Sequence, residues 1–118
     1  MTDSSIGEQL AGWGKVALLE TRGRVTRRRA TAAIGFFEPA DGELLVAAGS
    51  LRVDWALNLQ ADPRCRVTIG ERTAAYLAVE LDGRDRADAV TALILKYGTP
   101  AEGLGHGPVF RLRPADGR

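Results

Sequence analysis

The chain is short of the residues that usually announce chemistry: of its 118 residues, one is cysteine and one is histidine. A lone Cys65 excludes an internal disulfide and removes the thiolate-rich zinc sites, so the chain is expected to be intracellular. His106 lies in Gly103-Leu104-Gly105-His106-Gly107-Pro108, with no serine or cysteine tied to it by local sequence logic. A hydrolase triad is therefore not expected. Neither sign of charge dominates, 16 lysines and arginines standing against 15 acids, and a net charge of +1 gives no global field to steer the chain onto nucleic acid. Aromatic residues do not interleave with the basic ones, which also argues against nucleic acid. No apolar run reaches membrane-spanning length, and Met1 to Gly12 has two acids before any base and no signal-peptide core, so a cytoplasmic location without a membrane span is expected. Fourteen glycines make neither a Walker loop nor a dinucleotide fingerprint. The acids Asp82 and Asp85 fall at a helix start, where capping accounts for them, and no metal site is expected.

What is present is an ordinary globular composition, 45% hydrophobic and 26% charged, over a length that suits one domain, 1–118, with an N-terminal segment over 1–12 and a frayed tail over 115–118. Within it stands one unusual run. Arg22-Gly23-Arg24-Val25-Thr26-Arg27-Arg28-Arg29 holds five arginines in eight residues and no acid. Arginine forks suit the planar oxygens of phosphate and carboxylate, and the run lies between two strand-like segments, Val16–Thr21 and Ala30–Phe37. It reads as an anion-binding hairpin turn, or as a solvated basic tip.

Glu43–Ala48 is apolar almost throughout and is expected inside the sheet rather than at its edge. Asp54 is placed to cap a two-turn helix, with Trp55, Ala56 and Leu59 on one face and Asp62-Pro63 ending it. Arg64–Ile69 and Thr73–Leu81 read as a hairpin about Gly70-Glu71, with Cys65 alternating between two arginines on the first strand. A longer helix follows from Asp82–Asp85, its stripe formed by Ala87, Val90, Leu93 or Ile94, and Tyr97, and ended by Gly98 and Pro100. Pro108–Pro114 alternates as a closing strand. The fold class is thus mainly β with inserted helices, α+β, with about six mostly antiparallel strands in a barrel.

The stretch Leu19-Glu20-Thr21-Arg22-Gly23-Arg24-Val25-Thr26, the strand ending Ala47-Ala48-Gly49-Ser50, and Trp55-x-x-Asn58-Leu59-x-x-x-Pro63 together resemble the deazaflavin-dependent nitroreductase and quinone reductase family of the FMN-binding split-barrel superfamily. The resemblance spans Val16 to Pro114. It implies a split β-barrel that uses reduced coenzyme F420, an 8-hydroxy-5-deazaflavin, as hydride donor to a small-molecule acceptor: a quinone, a nitro compound or an activated alkene. It implies that Arg24 and Thr26, and by extension Arg27, Arg28 and Arg29, hold the phosphate and oligoglutamate tail. Ala48, Gly49 and Ser50 would lie along the ring, with Trp55 and Asn58 at the pocket, and Tyr97 would orient or protonate the acceptor. Split barrels also commonly pair, so a homodimer is expected. The loop departs from the family pattern: Val25 and Arg27 stand where a basic residue and a glycine are usual, Arg29 and Ala30 replace a proline and an arginine, and Ala33 replaces a proline. Two other readings stay open, FMN held by the same arginines, and a cofactor-free barrel acting as a small-molecule binder or a biosynthetic cyclase or isomerase. For Trp55 and Tyr97 the alternative is core packing.

Overall fold

A computed structural model describes residues 16–39, 42–97 and 106–115. The expected segments at 1–12 and 116–118, and the loop with its helix stop at Gly98 and Pro100, lie outside the described residues. Ala115 is not frayed, since its N–H donates to Ala75 O at 3.0 Å.

The arginine run joins β1 (Ala17–Arg22) to β2 (Arg29–Ile34) as an antiparallel hairpin in which Arg22 faces Arg29. Alternation does what a period of two requires: Ala17, Leu19 and Thr21 are buried, while Leu18, Glu20 and Arg22 look outward. The remaining strands are β3 (Leu44–Ala47), β4 (Arg64–Ile69), β5 (Arg72–Glu80) and β6 (Val109–Pro114). Two helices complete the described chain, α1 (Asp54–Ala61) and α2 (Gly83–Tyr97). The sheet runs β2-β1-β4-β5-β6-β3, and each pairing is antiparallel. Its two terminal strands are then stitched together. Phe37, just past β2, exchanges backbone hydrogen bonds of 3.0 and 2.7 Å with Leu45 on β3, curling the sheet into a half-barrel.

The core fills this curl. Leu19, Leu44, Val46, Val67, Phe110 and Leu112 pack inside, and α1 closes the cluster with Trp55, Ala56 and Leu59. A second cluster lies on the other face of β3 and β6, where α2 buries Ala89 and Leu93 against Leu45, Ala47 and Val109.

Three expectations are corrected. β3 is a terminal strand of the sheet, not an interior one. Its apolar run reports burial of both faces, one by the barrel core and one by α2, which is a different condition from having hydrogen-bonded neighbours on both sides. The cap of α1 is Val53, with no side-chain bond, and Asp54 is the first helical residue, its carboxylate being used elsewhere. The stripe of α2 is set by Ala89 and Leu93 with Val90 and Tyr97 beside them, and Ala87 is exposed. Among the described residues no helix is long and apolar enough to cross a membrane.

Leu93 has no solvent exposure and joins α2 to both β3 and β6. Leu93→Ala is expected to cost about 3 kcal/mol in unfolding free energy. Urea denaturation followed by far-ultraviolet circular dichroism measures it.

Candidate functional site

The arginine hairpin is built on a short helical turn. Gly23 N–H donates to Arg28 O at 2.7 Å, and Arg27 N–H returns to Gly23 O at 2.9 Å. The turn is too tight for a side chain at its first position, where a Cβ on Gly23 would stand 2.9 Å from Thr26 Oγ1 and 3.1 Å from Arg28 O. Thr26 Oγ1 accepts from Arg28 N–H at 3.2 Å, so its hydroxyl already belongs to the loop. Arg27, the last but one residue of the loop, has φ +66°, the left-handed region that a non-glycine residue enters at a cost of about 1 kcal/mol.

The arginines then part company. Arg24 turns toward α1, donating to Asn58 Oδ1 from its backbone N–H at 3.2 Å and from Nη1 at 2.8 Å, and to Asp54 Oδ1 from Nη2 at 3.3 Å. Asn58 is 3% exposed and donates Nδ2–H to Thr21 Oγ1 at 3.1 Å. One buried amide thus ties β1, the arginine loop and α1 together, which a helix face so close to an apolar core permits only when the amide is partnered. Arg27, Arg28 and Arg29 instead line an open groove of about 690 Å³ beside Arg22, Arg64 and Arg66. Arg29 Nε pairs with Glu20 at 3.0 Å. Arg64 grips Asp62 with both arms of its fork, Nε to Oδ1 at 3.1 Å and Nη2 to Oδ2 at 2.9 Å. That grip, with the Arg64 N–H, holds the Asp62 carboxyl down to about 2, so it stays ionised near neutral pH.

The turn after β3 is held from behind. Ala48 is buried and its N–H donates to Pro108 O at 2.9 Å. Gly49 and Ser50 are exposed, no atom of the described residues beyond its chain neighbours lies within 4 Å of where a Gly49 Cβ would stand, and Ser50 Oγ accepts from Arg52 N–H at 3.2 Å. Gly107 packs against this turn so closely that a Cβ there would collide with Ser50 O and lie 2.8 Å from Ala48 O. An Arg86 guanidinium from α2 holds the carbonyl of that same Gly107. Trp55 is buried against Phe110, ring centroids 6.0 Å apart.

Tyr97 belongs to another set of contacts. Its hydroxyl accepts from Phe36 N–H at 3.1 Å and donates to Phe36 O at 3.3 Å, while its ring lies where a Cβ on Gly35 would be 3.0 Å away. Lys96 Nζ also donates to Phe36 O, at 2.7 Å, and sits 3.7 Å above the Phe36 ring. His106 is exposed. Cys65 is buried, with its thiol toward Tyr76 O at 3.8 Å, and burial pushes its pKa up to about 12. Among the described residues no cluster of three potential metal ligands forms.

Sequence reasoning placed the loop arginines, Asn58 and Trp55 in one neighbourhood, and the structure joins Arg24 to Asn58 directly. It missed Arg64, Arg66 and Gly107. The alternation Arg64-Cys65-Arg66 was the available signal for the first two, because it sends both guanidiniums to the face that Arg22 shares.

A curled antiparallel sheet of six strands, closed by α1 and carrying a basic hairpin and a Gly-Ser turn on its rim, defines a split-barrel protein. A family model, F420H(2)-dependent quinone reductase, matches residues 1–99, and the chain belongs to that family. It is accordingly an oxidoreductase whose cofactor is coenzyme F420. Solved structures agree on the fold. An F420-H2 dependent reductase, FDR-A, superposes with a TM-score of 0.72 at 22% identity over 84% of this chain and 94% of its own. A domain-swapped dimer superposes at 0.71 and 20% identity, over 95% of this chain and 98% of its own. HutZ, a heme storage protein from Vibrio cholerae, gives 0.71 at 18% identity, over 96% and 88%. Comparison with curated proteins finds no match.

Asn58→Ala would leave the buried Thr21 hydroxyl and the inner side of Arg24 without their amide. Thermal and urea unfolding are expected to show a loss of about 2 kcal/mol. The raised Cys65 pKa has its own sign: the folded state holds the neutral thiol, so its contribution is intact below the ordinary value of 9.0 and is lost as pH rises toward about 12. At pH 8 a thiol reagent such as DTNB is expected to modify native protein only at the rate of its opening, and to modify urea-unfolded protein at once.

Proposed function

We propose that the chain transfers hydride from reduced F420 to a quinone, nitro compound or activated alkene, with the cofactor seated at the rim between the arginine hairpin and the Gly49-Ser50 turn. The observation that carries this reading is the Arg24–Asn58 junction, which locks a basic loop onto the helix that closes the barrel. The donor set suits the group. Six arginines against two carboxylates line the groove, and both carboxylates are already ion-paired, so the free charge there is positive. Among the described residues nothing crowds Gly49, which suits the close approach of a flat ring to backbone.

In this reading Arg24, Thr26, Arg27, Arg28 and Arg29 hold the anionic end, and Ala48, Gly49 and Ser50 present backbone along the ring. Trp55 and Asn58 support them from α1, Trp55 through its packing and Asn58 through Arg24. Bound F420 supplies the hydride, and the protein supplies placement. Backbone N–H groups of the turn would stabilise negative charge preorganised by Gly107 and Arg86 behind it. For Tyr97 to protonate the acceptor, as the resemblance implies, its hydroxyl would have to leave Phe36 O. A homodimer in the cytoplasm completes the reading. It is supported by the domain-swapped relative in this fold and by the exposed apolar outer face of β5, where Leu77 and Val79 are 42% and 44% exposed.

F420 fluorescence titration of the purified protein tests the reading, with reduction of a benzoquinone by F420H2 as the second readout. Binding in the micromolar range is expected, and Arg24→Ala should weaken it at least tenfold. A folded protein that binds no F420 at tens of micromolar sinks the proposal.

A further inference from the structure

Helix α2 is anchored by Ala89 and Leu93, which are 1% and 0% exposed against β3 and β6. Arg86 stands one turn before Ala89, so it shares the buried face of the helix, and it meets Gly107 two residues before β6 begins. A guanidinium within four residues of a helix start stands against the helix dipole, which favours acids there. Arg86 is nonetheless half-buried at that position, with Nη2 committed to the carbonyl of Gly107. We propose that Arg86 is a positioning residue for the reduction: acting through Gly107, it fixes the backbone of the turn from Ala48 to Leu51 along which the reacting ring lies. Only the identity of that ring rests on the F420 reading.

Gly107 is held from two sides. Behind it is the guanidinium, and in front is the turn. A Cβ on Gly107 would collide with Ser50 O, stand 2.7 Å from Ser50 C and lie 2.8 Å from Ala48 O, so the glycine rests directly on the Ser50 carbonyl with no side chain between. The next residue is tied as well, Ala48 N–H donating to Pro108 O at 2.9 Å. Residues 107 and 108 are thus the support on which residues 48 to 50 are seated. Past Ala48 the turn has few contacts of its own. Gly49, Ser50 and Leu51 are exposed, their N–H groups have no acceptor among the described residues, and the Ser50 hydroxyl turns back to Arg52 N–H at 3.2 Å. Three successive donors without a protein partner take their acceptors from solvent or from a ligand. Their directions are then set by what lies behind them, which is Gly107 and, behind Gly107, Arg86. Donors fixed before a ligand arrives need not reorganise as charge shifts in the reaction, and a misplacement of about 1 Å can cost on the order of 100-fold in rate. A brace from a helix anchored on the sheet supplies that fixity to exposed backbone that would otherwise move.

The variants R86M, R86K, G107A and R86M/G107A test this role, with R84S, an exposed arginine in the same helix turn, as the charge control. In the protein without cofactor, amide order parameters at Gly49, Ser50 and Leu51 measured by nuclear magnetic resonance are expected near about 0.85 for wild type and R84S, and to fall toward about 0.6 in R86M. The Ala48 amide should exchange with solvent at least tenfold faster in R86M, while the Leu93 amide keeps its protection. In steady-state reduction of a benzoquinone by F420H2, R86M should lose at least tenfold in kcat with the quinone KM within twofold of wild type. R86K keeps a donor of similar reach and should return kcat to within threefold. Because Arg86 acts through Gly107, the double variant should be no slower than G107A alone. Should G107A fail to fold, R86M and R86K decide the matter without it. Wild-type order parameters and wild-type kcat in R86M overturn the proposal, as do losses in R86M and G107A that simply add. So does a pattern in which α2, β3 and β6 lose protection alike, kcat falls with the folded fraction and R86K gives no rescue, since Arg86 would then be a prop for the whole domain. The two readings fail separately. A wild type that binds no F420 removes the cofactor reading, and the order parameters and Ala48 exchange of R86M then decide the brace alone; F420 turnover untouched by R86M keeps the cofactor reading and removes the role of Arg86.

Discussion

A buried amide must find partners for both its oxygen and its nitrogen, and Asn58 finds them on two other elements, Thr21 of β1 and Arg24 of the loop. This constraint organises the rim of the barrel. It fixes α1 against β1, so that Trp55, Ala56 and Leu59 can close the core, and it commits one arginine of five to structure. With Arg24 held against α1, the three arginines that follow in the tight turn line the open groove beside Arg22, Arg64 and Arg66, and Arg27 also borders the cleft at the end of α1.

The rim has a second fixed point, made without polar side chains on the turn itself. Gly107 lies flush against Ala48 and Ser50 because it lacks a Cβ, and Arg86 holds its carbonyl from α2. Helix α2 therefore does two jobs. Leu93 and Ala89 bury the outer face of β3, while its ends reach the Gly-Ser turn through Arg86 and the β2–β3 crossover through Lys96 and Tyr97. The same helix that lets a terminal strand be wholly apolar also braces the backbone of the Gly49-Ser50 turn.

Much of this was legible in the sequence because it is local. The hairpins at Gly23–Arg28 and Gly70-Glu71 follow from turn residues between alternating segments, and the buried face of α1 follows from its spacing. What was not legible depends on tertiary partners. The apolar run of β3 reads equally well as an interior strand or as a terminal strand covered by a helix, and only the placement of α2 decides. Asp54 resembles a cap by residue type, yet its carboxylate faces Arg24, thirty positions away in sequence. Arg64 and Arg66 could be assigned to the outward face by alternation. Their convergence on the arginine loop required the β1–β4 register, which no local pattern encodes.

That register also gives physical meaning to the place where the loop departs from its family. Val25, where a basic residue is usual, is 82% exposed and contributes no charge. Arg27, where glycine is usual, restores the charge at the one loop position whose backbone is left-handed. Moving a guanidinium from 25 to 27 costs about 1 kcal/mol of backbone strain, in a protein whose total stability is on the order of 5–15 kcal/mol. It also changes where the charge acts. From position 27 it borders both the cleft against α1 and the groove that Arg22, Arg64 and Arg66 line. A glycine there would relax the hairpin backbone but remove the one guanidinium that lines both hollows, so the left-handed turn at Arg27 and the charge it carries are set against each other at a single position.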